Sequence, residues 1–246
     1  MNPLLSFLKN CWPPGKLKKL NANKDCFISI IAHDLRSPIS AILSLANLLN
    51  EDDLKNDERI KLTATMKNSA ENVLNLLDNL LVWSRLQLNS TSPILKKVDL
   101  SKETEISISV LLLSCQAKEI ELKNIISTQL QVIADTDMLQ VVWRNLISNA
   151  IKFTPQGGQI TIKATPRGNW VEMTVRDTGV GISPEVLKKM FKFENISSNS
   201  GTNGEKGHGL GLLICQEMVQ KMHGKIWVES KLGEGSCFFF TLPLAK

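Results

Sequence analysis

His33 lies in the run Phe27-Ile-Ser-Ile-Ile-Ala-His-Asp-Leu-Arg-Ser-Pro38, beside an apolar stripe at Ile28, Ile31, Leu35, Pro38, Ile42, Leu45 and Leu49. On a helix turning about 100° per residue, Ile28 and Ile31 take the a and d places of a heptad, so His33 falls at f and faces water. An imidazole there fills no core. A neutral imidazole attacks through its unprotonated nitrogen, and the adjacent Asp34 can hold the proton on the other one. Alone, His33 reads as a surface histidine, and the rest of the chain must decide.

Three further motifs follow in order. On a predicted helix 136–153, Asn145 and Asn149 stand one turn apart and Lys152 three residues on, so all project from one side while Val142, Leu146 and Ile151 face a sheet. An Asn carbonyl is a hard oxygen ligand suited to Mg²⁺, and Lys suits phosphate. Asp177-Thr-Gly-Val-Gly181 comes directly after a predicted strand. Its carboxylate can accept from an amino group such as that of adenine, and Gly179 and Gly181 let the backbone approach a flat ligand. Gly207-His-Gly-Leu-Gly211 opens a helix, where unpaired N–H groups favour phosphate, so Gly207, Gly209, Leu210 and Gly211 are candidate contacts. Between these two motifs, Phe191 to Lys206 is rich in Ser, Asn and Gly and reads as a loosely packed lid. Each motif is weak singly; their order and spacing carry the weight. His208 and His223 read as capping or surface residues. The chain holds no G-x-x-x-x-G-K-[ST], no dinucleotide G-x-G-x-x-G, and no H-R-D or D-F-G.

Two domains must position these groups, since 246 residues sit where a single core stops growing. The first helical pattern runs to about Asn50, with Pro38 expected to bend it. The second, Leu62, Met66, Ser69, Val73, Leu76, Leu80 and Trp83, alternates spacings of four and three, a heptad seam. Joined by a short polar turn, the two make a hairpin at 22–89 whose apolar faces need a second copy, a dimeric four-helix bundle. A Ser/Thr stretch ending at Pro93 marks a linker at 90–98. Beyond it, over 99–246, helices near Ser101–Ala117, Thr136–Phe153 and Leu210–Met222 mix with strands near Ile120, Val132, Gln159–Ala164, Trp170–Arg176, Lys225–Glu229 and Ser236–Leu242, with a turn at Pro166–Asn169. The order implies an α+β fold, a sheet with helices on one face.

Composition narrows the partners. The chain is 43% apolar and 22% charged with a net charge of +5, values of an ordinary soluble protein, and it has no apolar stretch of membrane-crossing length. A cytoplasmic location is expected. Residues 1–21 form a basic leader that suits either an anionic lipid surface or a solvated tail. The basic residues form no stripe with interleaved aromatics, which argues against nucleic acid. Five scattered cysteines read as reduced thiols, not as a disulfide frame or a zinc site.

Taken together, the motifs resemble those of the sensor histidine kinase catalytic core. His33 lies where that family has its H box, Asn145 to Lys152 its N box, Asp177 to Gly181 its first glycine box, Phe191 and Phe193 a shortened phenylalanine box, and Gly207 to Gly211 its second glycine box. The resemblance covers roughly residues 22 to 243. It implies a homodimeric phosphoacceptor hairpin, then a Bergerat-type ATP-binding α/β sandwich shared with the GHKL ATPases. It implies Mg-ATP-dependent phosphorylation of His33 with Asp34 as general base, and transfer to an aspartate of a response regulator receiver domain. Asn149 would hold Mg²⁺ with Asn145 in support, Asp177 would select adenine, and Lys152 would meet phosphate. Two positions depart from the family pattern. Lys192 stands where many relatives place an arginine, and Ser37 where they carry Thr or Asn to orient the water of the reverse, phosphatase reaction. No sensor, transmembrane or receiver pattern is read in the sequence, so the chain is expected to be either the cytoplasmic part of a larger receptor or a short soluble kinase. A non-catalytic nucleotide-binding scaffold and a plain GHKL ATPase are the competing readings.

Overall fold

The computed structural model describes residues 35–50, 54–87, 92–191, 201–202 and 210–245. His33 and Asp34 lie outside these residues, as do Lys192, Phe193, Gly207, His208 and Gly209. The described residues divide into two compact units, with the division after Asp78. No helix among them is long and apolar enough to cross a membrane.

The first unit is a helical hairpin. Helix α1 (residues 35–49) places the apolar stripe Leu35, Pro38, Ile42, Leu45 and Leu49 on its half-buried side. Ser37 is exposed. Helix α2 (Asn56–Gln87) contains no glycine or proline over 32 residues, and Asp57 and Glu58 in its first turn oppose the helix dipole. Of the seam read in the sequence, Leu62, Met66, Ser69 and Val73 are half-buried and Leu76 is fully buried in this unit; Leu80, past the division, is half-buried, and the side chain of Trp83 lies outside those described. Large apolar side chains remain exposed on both helices, among them Ile39, Leu43, Ile60 and Leu74.

The second unit is the expected sheet with helices on one face. Its elements are β1 (Lys96–Asp99), α3 (Leu100–Ala117), β2 (Glu121–Asn124), β3 (Gln131–Ala134), α4 (Thr136–Phe153), β4 (Gln159–Arg167), β5 (Trp170–Asp177), α5 (Pro184–Leu187), α6 (Gly211–Lys221), β6 (Ile226–Lys231) and β7 (Gly235–Pro243). The main sheet runs β2-β4-β5-β7-β6, with β2 parallel to β4 and the other pairs antiparallel. Alternation decides its inner face: Ile160, Ile162, Val171, Met173, Val175, Phe238, Phe240 and Leu242 are buried, while Thr174, Arg176 and Phe239 between them are not. Helix α4 lies across β5, flanked by α3 and α6. At the centre Trp143 meets Phe240 edge to face, with ring centroids 4.9 Å apart.

Three details differ from the pattern read in the sequence. Strand β1 begins at Lys96, inside the stretch 90–98, and runs to Asp99, pairing antiparallel with β3 from Lys96↔Ala134 to Asp99↔Gln131. Four residues with two lysines carry too little alternation to stand out. Strand β4 continues through Pro166, which pairs with Val171, so the turn shrinks to Gly168 and Asn169. Proline is tolerated there because β2 pairs with β4 only over Gln159–Ile162, and among the described residues no other strand pairs with β4 on that side. Helix α3 inverts the usual arrangement. It buries Ser101, Thr104 and Ser107 and exposes Ile106, Val110 and Leu113. The Thr104 and Ser107 hydroxyls donate to the carbonyls of Leu100 and Glu103, 2.7 and 2.9 Å away, which makes their burial inexpensive.

Candidate functional site

Helix α4 is the spine of the site, and its start is tied down twice. Asp135 caps it, Oδ1 accepting from Met138 N at 3.1 Å, while Oδ2 accepts from Ile94 N at 2.8 Å and so anchors the chain entering the domain. Val142, Leu146, Ile147 and Ala150 are buried against the sheet and neighbouring helices. That leaves Asn145, Asn149 and Lys152 half-buried on another side, as their spacing predicts. Asn145 Nδ2 donates to Val141 O at 2.9 Å. Its Oδ1 lies against Gly211, the first residue of α6, so closely that a β-carbon on Gly211 would collide with it. The Lys152 ammonium stands 4.7 Å from the centre of the Phe153 ring.

The far end of α4 meets the Asp177–Gly181 loop. Phe153 O accepts from Val180 N at 3.1 Å, and a β-carbon on Gly179 would run into that same carbonyl. Gly181 has φ +69°, a conformation that L side chains avoid, and abuts the Lys231 carbonyl. Asp177 is 3% exposed. Its Oδ1 accepts from Gly179 N at 2.8 Å and from Ser236 N at 3.1 Å. Burial pushes its carboxyl above the ordinary range, and the two N–H donors pull the other way. Among the described residues nothing hydrogen-bonds Asp177 Oδ2.

Several supporting residues escape sequence reading. Ser236 comes 59 positions after Asp177, and Gly235, with φ +90°, packs on the Asp177 carbonyl. Ser230 Oγ accepts from Ile182 N at 2.9 Å and donates to Gly235 O at 2.7 Å, joining the loop to the β6–β7 turn. The Gly-Glu-Gly run at 233–235 was the available signal, but a glycine-rich turn does not name its partner. Leu210 is buried, and the N-terminus of α6 has no side-chain cap. Helix α4 thus brings the two glycine motifs together, Asn145 against Gly211 and Phe153 against Gly179.

Two protein families match the chain. Residues 23–89 match the His Kinase A (phospho-acceptor) domain, and residues 134–246 match the histidine kinase-, DNA gyrase B-, and HSP90-like ATPase. The adaptive-response sensory kinase SasA of Crocosphaera subtropica is 34% identical over 235 residues, an alignment covering 90% of this chain and 59% of SasA. Full-length ShkA, solved with AMPPNP, superimposes with a TM-score of 0.63 at 26% identity over 91% of this chain and 46% of ShkA. The histidine kinase ThkA, solved with the response regulator TrrA, shares the fold with a TM-score of 0.67 at 21% identity, covering 100% of this chain and 68% of ThkA. The chain spans less than two thirds of the length of the SasA and ShkA chains. The chain thus carries, in order, a His Kinase A phospho-acceptor domain and an ATPase domain of the histidine kinase, DNA gyrase B and HSP90 type, the arrangement it shares with the sensor kinases it resembles.

Proposed function

We propose that this chain is the kinase core of a two-component system, moving the γ-phosphoryl group of ATP to His33 and then to an aspartate of a separate receiver domain. The observation that carries the reading is the contact of α4 with both glycine motifs, which sets amides, ammonium and a buried carboxylate around one helix. Asp177 Oδ2 accepts the adenine amino group, while Oδ1 is already held by Gly179 and Ser236. Gly179 and Gly181 line the base; Gly207, Gly209, Leu210 and Gly211 face phosphate with the uncapped α6 N-terminus. Lys152 and Lys192 add positive charge there.

The residues present suit Mg²⁺. Asn149 stands half-buried on α4 one turn from Asn145, and its amide oxygen is a hard ligand of the kind Mg²⁺ takes. An ion that keeps its waters and binds chiefly to substrate phosphates needs no more. Asn149 would hold Mg²⁺, which would neutralise phosphate charge when bound. His33 attacks the γ-phosphorus through its unprotonated nitrogen, the bond from that phosphorus to the β–γ bridging oxygen breaks, ADP leaves, and Asp34 takes the proton from the other ring nitrogen. Ser37, exposed on α1, can orient water for the reverse reaction. The exposed Ile39, Leu43, Ile60 and Leu74 on the hairpin favour pairing with a second copy.

Incubation with Mg²⁺ and γ-labelled ATP tests the assignment. The expected product carries acid-labile, base-stable label that disappears in His33→Gln. Label that persists in the variant points to a different acceptor, and nucleotide hydrolysis without label to a plain ATPase. Binding without either result marks a scaffold.

A further inference from the structure

We infer that Lys118 is a positioning residue for the nucleotide site, clamping Thr202 onto the C-terminal end of α4 and so fixing the backbone that presents Lys152. This rests on the proposed role of Lys152 at phosphate. Lys118 is 5% exposed, rare for a lysine unless its ammonium is satisfied. It directly follows α3, and its own carbonyl accepts from Gly157 N at 3.1 Å, which holds its backbone against the turn after α4. Its Nζ donates to Ile151 O at 2.8 Å, to Lys152 O at 3.1 Å and to Thr202 Oγ1 at 2.7 Å. The first two are last-turn carbonyls at the negative end of the α4 dipole, where a cation belongs.

The third partner makes this more than a helix cap. Thr202 lies in the Phe191–Lys206 stretch, which composition alone reads as loosely packed, yet it is held from several sides. Its N–H donates to Lys152 O at 3.0 Å, and its hydroxyl lies 3.2 Å from Lys152 O and 3.1 Å from Thr154 O while accepting from Lys118. The Lys152 carbonyl therefore gathers donors from both Lys118 and Thr202. A helix end needing only a cap would be served by the ammonium and the two α4 carbonyls. Recruiting Thr202, 84 positions away, joins that cap to a residue outside both helices.

The test is the kinetics of Thr202→Val, which keeps the shape and removes the hydroxyl, against Thr202→Ser, which keeps the hydroxyl. Loss of one such hydrogen bond predicts a rise of about fivefold in KM for ATP in Thr202→Val, with kcat and melting temperature near the parent. Thr202→Ser should return KM to within about twofold of the parent. Lys118→Met should move KM in the same direction; because that variant also removes a helix cap, the threonine pair carries the decision. Independently of ATP, Thr202→Val should speed exchange of the Thr202 amide by about fivefold in nucleotide-free protein. Parent-like KM in Thr202→Val, or equal damage from valine and serine, overturns the clamp while leaving the kinase reading intact. A parent that takes no label from ATP overturns both, even with the exchange difference present.

Discussion

Gly211 touches Asn145: the first residue of α6 sits directly on the carbonyl oxygen of an amide one helix away, with no room for a β-carbon between them. This contact locks the second glycine motif to the nucleotide helix. Gly211→Ala should force the Asn145 side chain aside and weaken nucleotide binding by about tenfold, the scale of one displaced polar contact to a charged ligand. The paired variant Gly211→Ala with Asn145→Ala separates sterics from chemistry. If the clash is the cause, a binding titration with a fluorescent ATP analogue will show the two substitutions to be strongly non-additive. Additive losses would place the effect of Gly211 elsewhere.

Asp177 sets a pH dependence of defined sign. In the proposed site an adenine amino group donates to the ionised Asp177 carboxylate, so protonation would remove the acceptor and affinity should fall as pH falls. Burial raises this pKa, so the loss begins at a higher pH than for an ordinary carboxyl near ~3.9. In the free protein the sign is opposite. The folded state holds its proton longer than the unfolded chain, so this group's contribution to stability falls as pH rises from about 3.9 through the raised value. Asp177→Asn keeps an oxygen for Gly179 and Ser236 but no charge. Its affinity for ATP should drop by roughly 10- to 100-fold and lose the acid dependence seen in the parent. A titration series from about pH 7 to pH 5 checks this, and an unchanged acid limb in the variant would assign it to another group.

Backbone conformation predicts a pair of opposite stability changes. Gly181 has φ +69° and faces the Lys231 carbonyl, whereas His223, just after α6, has φ +67° and an exposed side chain. Gly181→Ala should destabilise the protein by about 2–4 kcal/mol through strain and collision. His223→Gly should stabilise it by about 0.5–1 kcal/mol by relieving left-handed strain. Urea unfolding midpoints measure both. Equal signs would contradict the assigned conformations.

Much of the site was legible before any tertiary structure. The apolar period of α4 was readable in the sequence, and the same period set Asn145, Asn149 and Lys152 on one side, whereas the Asp135 cap came only with the structure. The hairpin seam was readable because every fourth and third residue is apolar, and those residues are the less exposed ones in α1 and α2. Patterning was less informative for α3, where the apolar residues face outward and small hydroxyl residues pack inward. Its Ser and Thr side chains satisfy themselves on their own helix, and no periodicity reports that.

Local physics thus fixed which groups this chain would bring to a nucleotide: helical spacing, strand alternation and glycine conformation act over a few residues and are written in order along the chain. Only the tertiary structure decided what holds those groups in place. Asp177 is oriented by Ser236, Gly179 is closed by Phe153, Asn145 is met by Gly211, and Lys118 reaches Thr202 across 84 positions. Each is a contact between elements that meet only when the sheet closes under α4. Such pairings depend on chain topology and on which buried donors find acceptors, and neither is encoded in the spacing of neighbouring residues.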